Sequence, residues 1–96
     1  MDKKEETKKM KRRIGKKYAQ VKNEVIWAKI VKECRQEREN AGITQAEVAE
    51  DCGCAACTIS QWEKGIINNG YILAYYLFIL PIENARLQET VDKILR

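Results

Sequence analysis

The sequence predicts an all-α protein, on three observations. Apolar residues recur at steps of three and four over long stretches. A single proline and five glycines interrupt the 96 residues. No Val/Ile/Thr-rich alternating run bounded by turn residues argues for a sheet. A chain this short buries about 60–65% of its unfolded surface, so its core is marginal and a partner subunit would add to it.

Taken in order, Met10, Ile14, Tyr18, Val21, Val25 and Ala28 line one face of a helix whose other face is lysine and arginine. Gly15 is the weak point. The pattern predicts either one helix from about residue 7 to residue 40 or a basic arm that orders only on a partner. At Trp27 the stripe shifts to Trp27, Ile30, Val31, Cys34 and Arg38, the first helix of the globular part. It should stop near Asn40-Ala41-Gly42, where Gly42 can adopt the left-handed conformation that ends helices.

Thr44 and Glu47 form a Thr-x-x-Glu capping box that starts a second helix. Val48, Ala49 and Cys52 are its inward face, and Gly53 permits the positive φ of a tight turn. A third helix runs from Ala55 or Ala56 to Lys64, with Ile59 and Trp62 buried and Gly65 beyond its end. Residues 66–70 read as a loop, Tyr71 to Leu80 as a fourth helix, and Pro81 interrupts the pattern. Leu87, Val91, Ile94 and Leu95 then define a fifth, amphipathic helix.

Net charge is +4, but it is unevenly placed. Residues 1–24 hold ten Lys/Arg against four Asp/Glu, and residues 25–96 hold eight against ten. A basic N-terminal arm or helical extension (1–24) thus precedes a mildly acidic globule, as expected of a tail that tracks phosphates; the bland alternative is a solubilising tail. The globule divides into 25–80 and a C-terminal helix, 81–96. The first residues carry charge without an apolar h-region, and Tyr71 to Leu80 is about half the ~20 residues of a membrane span. A soluble, cytoplasmic protein that does not engage a membrane is expected.

Residues 44–65 have the spacing of two helices joined by a tight turn. Together with their flanks, the chain from Ile30 to Leu80 resembles the Cro and lambda-repressor type of helix-turn-helix, also called the xenobiotic-response-element family. The residues that carry the resemblance are Arg35, Arg38-Glu39, Gly42-Ile43-Thr44-Gln45, Glu47-Val48-Ala49, Gly53, Thr58-Ile59-Ser60, Trp62-Glu63 and Gly65. The resemblance implies a lambda-repressor-like bundle of about five helices, with residues 25–80 as the DNA-binding domain. The second helix of the pair would point its exposed residues at base edges while the preceding helix crosses the backbone.

By that similarity, Gln45 bonds a phosphate at a helix N-terminus. Ala56, Cys57, Ser60 and Gln61 face the duplex, and Lys64 meets a phosphate. Gln61 is the best direct reader, since a glutamine amide pairs with adenine's two major-groove positions. The departures from the family pattern are informative. Ala55 and Ala56 replace polar or basic residues, removing a cap that stabilises by about 1 kcal/mol, although Ala56 can still touch a thymine methyl. Glu37 stands where the family usually has leucine. With almost no positive charge beyond Lys64, the motif needs the arm, where Lys8, Lys9, Lys11, Arg12, Arg13, Lys16 and Lys17 are the phosphate-contact candidates.

Cys52-Gly-Cys54-Ala-Ala-Cys57, with Cys34, offers four thiolates to a metal or cluster. The resemblance accounts for three of them differently, because positions 34, 52 and 54 are where this fold buries leucine or valine, and cysteine behaves as a small hydrophobe. Cys57 is expected to be exposed, where it can act as a redox switch. The reading adopted is structural thiols, with no metal and no cofactor.

The run YILAYYLFIL is apolar on nearly every face, more than one small core should hide, and the fifth helix adds its own stripe. They predict a homodimer through residues 71–96, with half-sites about one DNA turn, ~34 Å, apart on a near-palindromic operator. The intramolecular alternative is that the fifth helix covers the fourth. The same surface can instead receive a regulatory protein partner. Without histidine, a glycine-rich phosphate loop or a convincing carboxylate pair, no catalytic constellation supports an enzyme.

The reading is therefore a transcriptional repressor that occupies its operator on double-stranded DNA and is nucleoid-associated when bound. The alternative is a protein-interaction module, an antitoxin or regulatory subunit, with weak or no specific DNA binding. Deleting residues 1–22 should weaken DNA binding and flatten its salt dependence, read as the slope of log affinity against log salt. An unchanged slope would remove the arm from this account.

Overall fold

The computed structural model describes residues 23–96, which form five helices: α1 (Glu24–Asn40), α2 (Gln45–Cys52), α3 (Ala56–Glu63), α4 (Gly70–Phe78) and α5 (Asn84–Leu95). The arm, with Lys8, Lys9, Lys11, Arg12, Arg13, Lys16 and Lys17, lies outside the described residues. The expected helix through residues 7 to 40 is corrected at its junction with the globule. Asn23 is extended (φ −74°, ψ 113°), and its side-chain oxygen accepts from the N–H groups of Val25 and Ile26. An asparagine in that conformation begins a helix rather than continuing one.

The stripe of α1 turns inward as predicted: Trp27, Ile30, Val31, Cys34 and Arg38 are all buried. Against it pack α3, with Ile59 and Trp62, and α5, with Leu87 and Val91, while Val48 and Ala49 of α2 join the same core and α2 packs on α3. Trp62 lies at the centre. Trp27 meets it edge-on, with ring centroids 5.8 Å apart, and Tyr76 stacks on it at 5.0 Å. Both indoles also donate to the loop after α3, Trp27 to the carbonyl of Ile67 and Trp62 to that of Asn69. That loop is consequently tied to the core at two points. Asn69 then caps α4 by accepting from the N–H groups of Tyr71 and Ile72.

The fourth helix departs from expectation. Its apolar surplus does not wait for a second surface: Ile72 to Leu77 and Leu80 are all buried within one chain, and only Tyr71 and Phe78 are substantially exposed. The cause is a second layer of contacts from α5. Besides its apolar stripe, α5 presents two amides to α4, because Asn84 donates to the carbonyls of Tyr76 and Leu80, and Gln88 to that of Leu77. The carbonyls of Tyr76 and Leu77 lie in the last turn of α4, beyond its own hydrogen-bond ladder, and that of Leu80 lies just after it, so α5 both covers α4 and satisfies its C-terminus. Glu37, the unusual residue of α1, is also explained from α5, where Arg86 approaches its carboxylate to 3.7 Å.

Among the described residues no helix is long and apolar enough to cross a membrane. The turn between α2 and α3 rests on Gly53, at φ +70°. Its N–H and that of Cys54 return to the carbonyls of Glu50 and Ala49 and so close α2. A Cβ at Gly53 would meet nothing within 4 Å, so the penalty for a side chain there is conformational rather than steric. Gly53→Ala should destabilise the fold by about 1–2 kcal/mol, with Gly53→Asn less costly, as measured by urea unfolding.

Candidate nucleic-acid interface

The pair α2 and α3 is fixed from beneath by one carboxylate. Glu63, the last residue of α3, has a side chain 1% exposed, and the Arg38 side chain it pairs with is 9% exposed. Its Oε2 accepts from Arg38 Nε at 2.7 Å and from the hydroxyl of Tyr76; its Oε1 accepts from Arg38 Nη2 at 3.0 Å and from Gln45 Nε2 at 2.9 Å. The third guanidinium nitrogen, Nη1, donates to the carbonyl of Ile43 at 2.6 Å. Four helices and the turn before α2 therefore converge on the Arg38–Glu63 pair, and each carboxylate oxygen has two donors. A buried ion pair costs heavily in desolvation unless its remaining lone pairs are met, and here they are.

Burial alone would raise the pKa of Glu63, but the hydrogen bonds from Arg38, Tyr76 and Gln45, with the charge of Arg38, outweigh it and hold the carboxyl below its ordinary value of 4.5. Burial and the bond to Glu63 push the Tyr76 phenol well above its ordinary range. The carboxylate is thus the charged member and the phenol a permanent donor. Tyr75 makes a matching bond from its hydroxyl to Asp51 of α2, tying α4 to the upper pair a second time.

On this base the outer side of α3 is open. Ala56, Cys57, Gln61 and Lys64 are exposed and Ser60 is half-buried. The helix starts at Ala55, extended and without a side-chain cap. The N–H groups of Thr58 and Ile59 bond the carbonyl of Ala55, whereas those of Ala56 and Cys57 have no acceptor among the described residues. Two free donors and the positive end of the helix therefore face outward, a pairing that suits a phosphate. At the other end Lys64 supplies a cation. The preceding helix, α2, exposes Glu47, Glu50 and Asp51, so the helix pair itself carries little net positive charge.

Gln45, expected to reach a phosphate, is half-buried, with one amide proton given to Glu63. Its second amide proton is available, so the side chain is held in place at the start of α2 rather than withdrawn from it. Thr44 caps that helix as expected, its hydroxyl accepting from the N–H of Glu47 at 3.1 Å. Of the cysteines, Cys34 is fully buried and Cys57 exposed, as expected; Cys52 and Cys54 pack against the core but are only half-buried, a correction to the full burial expected of them. Among the described residues no three His, Cys, Asp or Glu side chains are arranged to hold a metal ion.

Sequence reasoning placed Arg38 on the buried stripe but did not pair it with Glu63. The available signal was that Glu63 follows Ile59 by four positions, on the inward side of α3, where a charge must find a partner. With this geometry established, residues 35–69 match the helix-turn-helix family. No curated protein and no solved structure matches the chain.

Because the native pKa of Glu63 lies below its unfolded value, the stability it contributes is complete above about 4.5 and is lost as pH falls through the lowered native pKa. Glu63→Gln should cost about 3–5 kcal/mol at neutral pH, by leaving Arg38 buried and unpaired, and should flatten this part of the acid limb. Urea unfolding of both proteins from neutral pH down to about pH 3 checks the magnitude and the slope.

Proposed function

We propose that this chain, a member of the Cro and lambda-repressor-like helix-turn-helix family through residues 35–69, is a sequence-specific DNA-binding repressor that acts by occupying its operator. The DNA-binding character follows from the family; the finer reading is ours. The observation that carries it is the outward face of α3, uncovered by any described segment, with two unpartnered N–H groups at its start and Lys64 beyond its end.

In the proposed complex α3 lies in the major groove. Gln61 presents its amide to an adenine, and Ala56 with Cys57 offers a small apolar surface to a thymine methyl. Ser60, half-buried, contributes its hydroxyl at the edge of the face. Gln45 and Lys64 hold phosphates on either side. The arm supplies most of the electrostatic attraction, because α2 exposes three carboxylates and α3 is followed by one cation, Lys64.

One eight-residue helix reads only a few base pairs, so a second copy on a near-palindromic site is part of the proposal. The apolar side chains left for that contact within residues 71–96 are Tyr71, Phe78 and Leu95. The acidic surface of α2 supports a second reading, an interaction module for a regulatory protein. The two readings differ in what they require of Gln61 and Lys64.

Gel shifts against fragments of the source genome should give a discrete, competitor-resistant complex. Gln61→Ala should cost about 1–3 kcal/mol on the preferred fragment and relax its choice at one position. Lys64→Ala should weaken all fragments alike and lower the salt slope by about 1. Binding that is blind to sequence and to Gln61 would favour the interaction module.

A further inference from the structure

The turn between α2 and α3 does more than reverse the chain. Cys52 ends α2, Gly53 turns with positive φ, and Cys54 follows, so two thiols flank one left-handed residue. Both line the same cavity, of about 180 Å³, whose other walls are Thr58 of α3 and Asn69, Tyr71 and Ile72 at the start of α4. An apolar cavity of about 150 Å³ takes a benzene ring, so this one has room for a ring-sized group or smaller. It is set apart from the rest of the surface by its ligand chemistry. No Asp, Glu, Lys, Arg or His lines it, and its polar residues beyond the two cysteines are Thr58, Asn69 and Tyr71.

The other two thiols lie elsewhere. Cys34 is fully buried in the core, where desolvation and the negative charges of Glu63 and Glu33 push its thiol well above the ordinary range. Cys57 is exposed on α3 and is not part of the cavity wall. A cavity lined by two cysteines two positions apart, with no carboxylate side chain among its lining residues, favours a soft, thiophilic centre over a hard cation. A space for a ring beside the sulfurs selects a centre that keeps one organic substituent.

We propose that Cys52 and Cys54 form a dithiol site for a monosubstituted trivalent arsenical. Two As–S bonds form, and the two S–H protons leave with the oxygen of the arsenic oxide as one molecule of water. No electrons change hands, and no co-reactant is needed. The organic substituent lies in the cavity against Tyr71 and Ile72, and the closed ring spans Gly53. The second sulfur acts intramolecularly after the first bond has formed, so the chelate resists displacement by a monothiol. The site requires only the fold and stands independently of the DNA reading.

The test uses the full, reduced chain with one equivalent of phenylarsine oxide. One adduct per chain should form with loss of two titratable thiols, survive a large excess of glutathione, and be removed by 2,3-dimercaptopropanol. Peptide mapping should place it on the segment that contains Cys52 and Cys54. Cys52→Ser and Cys54→Ser should each lower retention against glutathione about tenfold or more, while Cys34→Ser and Cys57→Ser should not. Circular dichroism of each variant guards against a trivial loss of fold, and the mapping needs no variant. An adduct bridged to Cys57, retention indifferent to Cys54→Ser, or capture only after denaturation would overturn the assignment.

Discussion

The position of the outward helix depends on the buried carboxylate of Glu63. It ends α3, yet its four donors come from α1, α2 and α4, so the angle of α3 is set by three other helices at once. Directional bonds do here what apolar packing alone cannot. Ile59 and Trp62 hold α3 against the core, but a greasy contact tolerates sliding and small rotations, whereas a carboxylate with two donors on each oxygen has one satisfactory orientation. Removing any one donor leaves the others in place; removing the carboxylate frees all of them and strands a guanidinium.

This arrangement also explains how a fold with an acidic α2 can serve a polyanion. The positive charge of Arg38 is spent within the core, where it neutralises Glu63 and contributes nothing to the outer field. What remains on the reading face is Lys64, two backbone donors and neutral side chains. A surface of that kind discriminates by shape and hydrogen bonding far more than it attracts. In the proposed complex, attraction comes from charge elsewhere in the chain, and the surplus of lysine and arginine in residues 1–24 is the largest concentration of it in the sequence.

The helices were legible in the sequence because each signal is local. The stripe of Trp27, Ile30, Val31, Cys34 and Arg38, the Thr44 cap, and the glycines at 42 and 53 act within one or two turns, and each appears where its spacing puts it. The outward face of α3 followed from the same periodicity. What the sequence concealed is pairing between distant positions. Glu63 with Arg38 spans 25 residues, and the amides of Asn84 and Gln88 reach α4 only because α5 folds back. The roles of Asn23 and Asn69 were hidden for a different reason: asparagine caps helices and also fills loops, and only the neighbouring backbone decides between them.

The fate of α4 shows how such concealed pairings change a functional argument. Read alone, a ten-residue apolar run exceeds what one helix face can bury and points to a second molecule. In the folded chain α1 and α5 cover it from two sides, and the amides of α5 close its carbonyl end, so all but Tyr71, Phe78 and part of Ile79 is buried within one chain. The proposed association of two copies through residues 71–96 then cannot draw on the bulk of that helix: the large apolar side chains exposed there are Tyr71, Phe78 and Leu95, a small surface by the standard of stable interfaces. In the proposed complex a contact of this size is sufficient, because two molecules on adjacent half-sites receive from the duplex the proximity that the protein surface does not supply.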